Sequence, residues 1–132
     1  MIAAAAPPAP PPPIVVHVRG ASTSLLSTSC FLRLRQHIVG GGTMTYCLKA
    51  FHGRPGPNAT VRDSGVMTFS LKGRTIRANV QIVERFAADG AHAKQTLSGK
   101  VTGGGKVKGG GPVVEKPPGH IASSNLRFVI TL

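Results

Sequence analysis

Apolar and polar side chains alternate through residues 65–86, and this alternation is the strongest pattern in the chain. Lys72 and Gly73 interrupt it, and a glycine in a short break permits the positive φ of a tight hairpin turn. In the second half one face is apolar, with Ile76, Ala78, Val80 and Ile82. Because successive side chains of a strand point to opposite sides of a sheet, the pattern predicts two long strands joined as a hairpin.

Shorter alternating segments lie on both sides of this hairpin. Residues 30–35 and 43–51 predict two strands joined by a glycine-rich loop, residues 91–102 and 124–132 predict two more, and residues 14–18 form a short apolar run. The glycine triplets at 103–105 and 109–111 each predict a turn or bulge, followed by a strand stub at Val113 and Val114. About seven or eight strands without a helical period predict an all-β fold. A small antiparallel up-and-down barrel is preferred over a sandwich, since closure removes the sheet edges.

The N-terminal segment differs in composition from the rest. Residues 1–13 are almost entirely alanine and proline, which predicts a disordered, extended segment. Residues 14–132 then form a single domain. The segment resembles the end of a signal peptide followed by the start of a secreted protein, although it lacks a basic region and a long apolar core. We therefore expect a secreted or cell-surface protein whose complete signal lies upstream, without a transmembrane segment.

The two cysteines, Cys30 and Cys47, lie in segments that are predicted to be neighbouring antiparallel strands. In that arrangement they could face each other across the pair, which predicts a disulfide formed in an oxidising compartment. A pair of buried free thiols is the alternative. Zinc-ligand spacings such as CxxC or HxxxH do not occur, so we expect neither a metal nor a cofactor.

The charge balance is strongly basic, with 16 Lys and Arg against 4 Asp and Glu and a formal net charge of +12. Such a charge attracts polyanions, although the basic residues are spread evenly along the chain. A polyanion binder would gather six of them on one outer face: Arg33, Arg35, Arg74, Arg77, Lys94 and Lys100. Specific nucleic-acid recognition is not expected, because the chain has no Trp and a single Tyr on which bases could stack.

Two residues are candidates for acid–base chemistry. Glu84 falls on the same face as Ile82, but its strand is expected to end at Phe86, so we expect its carboxylate at the barrel rim, paired in water. His92 is expected to face solvent. The sequence has neither a nucleophile elbow nor a phosphate-binding loop, and a non-catalytic role is therefore favoured.

A resemblance rests on the strand at residues 75–86, the run FAADGAHAKQTLSGKVTGG and the closing segment NLRFVITL. With these segments, residues 65–132 resemble small secreted bacterial proteins of the allene oxide cyclase barrel-like, or dirigent-like, fold. The stretch at 105–111 departs from that group's Gly-aromatic-Gly-Ala pattern and is shortened, which leaves an incompletely closed barrel as an alternative. The resemblance implies a β-barrel, with isomerase- or cyclase-like or dirigent-like activity as one possible function. No catalytic residue of that group can be assigned to this chain, because the resemblance rests on turn and packing positions.

The function favoured by the sequence is binding of a small apolar or anionic ligand inside the barrel. The predicted ligand-binding residues are Phe69, Ile76, Val80, Glu84, Leu97 and Phe128. The alternatives are the isomerase- or dirigent-like activity and electrostatic binding of a nucleic acid or a cell-wall polymer. The sequence does not indicate an oligomeric state.

Overall fold

The computed structural model describes residues 9–132, which form one antiparallel sheet of nine strands. The strands are β1 (Ile14–Arg19), β2 (Thr23–Ser24), β3 (Leu32–His37), β4 (Thr43–His52), β5 (Thr60–Leu71), β6 (Arg74–Phe86), β7 (His92–Val101), β8 (Lys106–Glu115) and β9 (Ile121–Thr131). Residues 9–13 have no regular structure, and the rest of the predicted disordered segment lies outside the described residues. The described part of the chain contains no helix long and apolar enough to span a membrane.

The strands follow one another as a meander from β2 to β9, and β1 adds to the far side of β9. The sheet curls strongly into a half-barrel, which confirms the predicted all-β antiparallel fold. The two edges of the sheet contact each other where Val18 of β1 forms a bridge with Ile38, which follows β3. There the Val39 N–H also donates to the His17 carbonyl at 2.8 Å. A side-chain hydrogen bond reinforces this contact: Gln36 Nε2 donates to Ser124 Oγ at 2.9 Å.

The predicted central hairpin is confirmed as β5 and β6. The strands pair continuously from Thr60 opposite Arg85 to Leu71 opposite Arg74. Lys72 and Gly73 form the turn, and Gly73 has a φ of 78°. Such an angle favours glycine because a Cβ would be strained there.

The prediction for the second glycine triplet was wrong. Residues 109–111 lie inside β8, where Gly110 pairs with Thr96, and Val113 and Val114 continue the same strand. The neighbouring backbone explains the error, because a Cβ on Gly110 would lie 1.9 Å from the carbonyl oxygen of Gln95. Glycine is needed here because two strands approach closely, whereas the triplet at 103–105 does form a turn. The complete β8 and the short β2 raise the strand count to nine.

The inward faces of the strands form a continuous apolar core. Its largest fully buried side chains include Phe69, Phe128, Met67, Leu97 and Leu126. The rings of Phe69 and Phe128 pack edge to face with their centroids 6.0 Å apart. This geometry suits the aromatic quadrupole and fills this part of the interior.

The predicted disulfide between Cys30 and Cys47 is confirmed, with a Cα–Cα distance of 5.4 Å. Cys30 precedes β3 and Cys47 lies in β4, so the bond ties the segment before β3 to the adjacent strand. A disulfide is compatible with an extracellular protein.

Candidate functional site

A cavity of about 250 Å³ opens inside one end of the half-barrel. Apolar side chains from five strands form most of its wall: Leu32, Leu34, Met44, Leu48, Val61, Met67, Ile82 and Ile121. The loop residues Gly53 and Pro55 border it after β4, and Pro118 and Gly119 border it before β9. The cavity therefore combines rigid strand walls with loop residues at its border.

Polar side chains reach the same cavity from six adjacent strands. They are Gln36 on β3, Tyr46 on β4, Asp63 on β5, Glu84 on β6, Gln95 on β7 and Glu115 at the end of β8. Glu84 and Gln95 are opposite each other in the register, and Val61 stands opposite Glu84 on the other side. The antiparallel pairing thus brings residues far apart in sequence to one end of the interior. Asp63, Glu84 and Glu115 are called the carboxylate cluster below.

The expectation that Glu84 lies at the rim in water was wrong. Its exposed fraction is 8%. The alternation of β6 continues to the last residue of the strand, where Phe86 is also buried, so Glu84 points inward as Ile82 does. The sheet extends past this position because β5 and β7 both pair with the end of β6.

A bulge in β4 shapes the border of the cavity near Asp63. The register with β5 shifts between Leu48 and Ala50, after which Phe51 stands opposite Asp63. Phe51 is half exposed and packs edge to face on Phe31, with the ring centroids 5.5 Å apart. Asp63 is consequently the most accessible member of the carboxylate cluster.

Two buried polar atoms at the cavity have no hydrogen-bond partner within residues 9–132. They are Oη of Tyr46 and Oε2 of Glu115. The other carboxylate oxygen of Glu115, Oε1, accepts the backbone N–H of Gly119 at 3.1 Å. A proton on Glu84 would let that carboxyl donate to Glu115, because two ionised carboxylates can only accept hydrogen bonds.

Burial and mutual repulsion change the acidities in the cavity. The pKa of Glu84 is raised well above its usual range, first by desolvation, then by hydrogen bonding and charge from Glu115 and by the charge of Asp63. Desolvation and the charge of Glu115 raise the pKa of Asp63 to about 6. Desolvation, with the charges of Asp63 and Glu84, also raises the pKa of the Tyr46 hydroxyl. Glu84 therefore keeps a proton at neutral pH that an isolated carboxyl group would have released, and Asp63 releases its proton only near pH 6.

The charges of the molecule are segregated between inside and outside. Three of the 4 acidic residues line the cavity. The fourth, Asp89, lies in an exposed turn, where it accepts the backbone N–H groups of Ala91 and His92 and contacts the His92 ring. All 16 Lys and Arg residues are exposed. Of the side chains described, Arg54 is the single basic one bordering the cavity.

The structure places the sequence-predicted site residues in two different regions. Glu84 lines the cavity, whereas the other five are buried in the packed core and do not line it: Phe69, Ile76, Val80, Leu97 and Phe128. His92 is exposed, as expected.

Sequence reasoning missed Tyr46, Asp63, Gln95 and Glu115 as cavity residues. The available signal was a polar residue inside an otherwise apolar row, as with Gln95 between Ala93 and Leu97.

Within residues 9–132, no three potential metal-ligand side chains are grouped so that they could hold a metal ion. Comparison of the chain with models of known protein families, with curated proteins and with solved structures gave no match. The function therefore has to be inferred from the geometry of the cavity.

Proposed function

We propose that this protein binds one small, mainly apolar molecule in the cavity of its half-barrel. The observation that carries the proposal is the cavity of about 250 Å³, which has apolar walls and a few convergent polar groups beside an otherwise packed core. Binding sites for small molecules commonly have this composition. Since an apolar cavity of about 150 Å³ holds benzene, this one suits a ligand of roughly ten non-hydrogen atoms.

Of the two ligand types expected from the sequence, the apolar one is better supported. An anionic group in the cavity would face the carboxylate cluster, and burying like charges together is unfavourable. The apolar walls, in contrast, gain from covering any apolar surface that leaves water. The ligand is consequently expected to place its apolar body against residues such as Leu34 and Met67.

An isomerase- or cyclase-like activity would use the same cavity. One observation favours it: Glu84 points inward and its raised pKa lets it hold a proton beside Glu115. A carboxylic acid next to a second carboxyl group is a common arrangement for general acid–base catalysis. The resemblance to the allene oxide cyclase barrel-like group agrees with this alternative and with the curled antiparallel sheet. The disulfide supports an extracellular location for either role.

Electrostatic binding of a polyanion is a second candidate, favoured by the segregated charges. The predicted residues Arg33, Arg35, Arg74, Arg77, Lys94 and Lys100 are all exposed. The register brings four of them into two adjacent outer rows, with Arg35 and Arg77 in one and Arg33 and Lys100 in the other. Arg74 and Lys94 lie near the ends of their strands.

Ligand binding can be tested by following amide NMR shifts during titration with toluene, ethylbenzene and naphthalene. We expect saturable shifts near Leu34, Met67 and Ile82 and small shifts near Phe69 and Phe128. Leu34→Trp should fill the cavity and abolish these shifts, whereas Leu26→Trp adds the same ring at a fully exposed position and should leave them unchanged. The proposal fails if no compound binds saturably, or if Leu34→Trp binds as the unmodified protein does. New product signals would favour the catalytic alternative.

A further inference from the structure

We propose that the ligand carries a cationic head group, such as an ammonium, which the carboxylate cluster binds while the apolar walls hold its body. This inference rests on the proposed function and names the chemical class of the ligand. It would make the cavity selective for organic cations over neutral or anionic molecules of the same shape.

The first argument is the lack of a basic partner for the carboxylate cluster. In the described part of the chain, no Lys or Arg lies within 4.0 Å of a carboxylate oxygen of Asp63, Glu84 or Glu115, since the one ion-pair contact there joins Asp89 and His92. Buried carboxylates are normally paired with cations, because an isolated buried charge is costly. Although the chain has 16 Lys and Arg, only the exposed Arg54 borders this cavity. In the free protein a proton on Glu84 offsets this lack, and a cationic ligand would take the place of that proton.

The second argument comes from the two unpartnered atoms. Glu115 and Tyr46 are only 7% and 8% exposed, and Oε2 of the first and Oη of the second have no partner within residues 9–132. An ammonium group has several N–H donors and no acceptor, so it suits unpartnered oxygen acceptors of this kind. The face of the Tyr46 ring would also attract a cation. The Gly119 N–H donates to Oε1 of Glu115 and holds the carboxylate in place, so Oε2 can accept either from a protonated Glu84 or from a bound cation.

An organic cation fits the cavity better than a metal ion. The potential ligand side chains in residues 9–132 are not grouped closely enough for metal coordination. Most of the wall is apolar. A hydrated ion would make no favourable contact with this surface, whereas a hydrocarbon or aromatic body would cover it. The cavity size suits a compound such as phenethylamine, which has about nine non-hydrogen atoms.

Cation binding should also release protons from the cavity. The charged and titratable groups that face the head group are Tyr46, Asp63, Glu84 and Glu115, with Arg54 at the border. A bound cation favours ionised carboxylates, so binding should strengthen as the pH rises through the pKa of about 6 of Asp63. A neutral ligand would not produce this dependence.

Three probes with the same aromatic body test the inference: phenethylamine, phenethyl alcohol and phenylacetate. Calorimetric titration of the full chain should show that phenethylamine binds at least about tenfold more tightly than the alcohol, and the alcohol more tightly than phenylacetate. Equal or tighter binding of the alcohol would overturn the inference while leaving the proposed function intact. Absence of binding by all three probes would contradict the proposed function as well.

The source of the selectivity is tested with Glu115→Gln and with Asp89→Asn as the matched control. Glu115→Gln should remove most of the preference for phenethylamine over phenethyl alcohol, whereas Asp89→Asn should leave that ratio of affinities unchanged. Glu84→Gln provides a second cavity variant if Glu115→Gln does not fold, as judged by its thermal transition. Retention of the full amine preference by a folded cavity variant would overturn the inference.

Discussion

Asp63 lies at the accessible side of the carboxylate cluster, and its protonation links the cavity to the stability of the fold. Desolvation and the nearby charge of Glu115 raise its pKa from 3.8 to about 6. A carboxyl group that is harder to ionise in the folded state than in the unfolded state stabilises the fold while it is protonated. This stabilisation is complete below about pH 4 and is lost as the pH rises through about 6.

Asp63→Asn should remove this pH dependence. The melting temperature of the unmodified protein should fall relative to that of the variant between about pH 4 and about pH 6, and the difference should then level off. Asp89→Asn is a control of opposite sign, because backbone hydrogen bonds lower the pKa of Asp89 to about 2. Its ionised carboxylate stabilises the fold above about pH 4, and that contribution is lost as the pH falls towards 2. Parallel curves of melting temperature against pH for Asp63→Asn and the unmodified protein would contradict the prediction.

At the scale of the elements, the middle of β8 depends on close backbone approach, because residues 109–111 are all glycine. Gly110 and Gly111 both have positive φ, at 145° and 149°, inside a continuous strand. On one side the Gln95 carbonyl crowds the position of a Cβ on Gly110, and on the other the Asn125 carbonyl crowds that of Gly111. The glycines therefore let β8 lie between β7 and β9 at a point where side chains would not fit.

Gly110→Ala should destabilise the protein by roughly 3 kcal/mol, because it combines a strained φ with a Cβ that overlaps a neighbouring carbonyl. Gly103→Ala is the matched control, since Gly103 also has a positive φ but has no atom within 4 Å of the new Cβ. This second change should cost only about 1 kcal/mol. Chemical denaturation of both variants measures the difference, and equal losses of stability would show that crowding in β8 has no effect.

The same elements show how far the sequence determines the fold and the site. Alternation alone was enough for the hairpin of β5 and β6 and for the existence of β3 and β4, because apolar residues recur on one face of each. The role of the triplet at 109–111 could not be predicted from the sequence. A glycine in a turn and a glycine that lets a neighbouring strand approach closely have the same sequence signature. The burial of Glu84 was missed because it depends on how far β5 and β7 extend beside it. Glu115 joins the cavity through a register shift after Val114, which no local pattern indicates.

The whole molecule separates its charges, with most carboxylates inside and the basic residues outside. An outer groove across β5 to β8, called the basic groove here, has small or polar side chains such as Ser64 and Ser98 along it. Four lysines border it: Lys49, Lys100, Lys106 and Lys108. Lys100 and Lys106 stand directly opposite each other in the register, an unfavourable pairing of like charges that an anionic partner would relieve.

If the basic groove binds polyanions, neutralising its paired lysines should weaken that binding more than removing the same charge elsewhere. Lys100→Gln with Lys106→Gln should elute from heparin at lower salt and reduce the slope of log affinity against log salt by about 2, since each lysine that contacts the polymer contributes about 1. Lys72→Gln with Lys116→Gln removes equal charge at exposed positions outside the groove and should change the slope little. Equal slopes for the two double variants would mean that only net charge matters, and the basic groove would then not be a binding site.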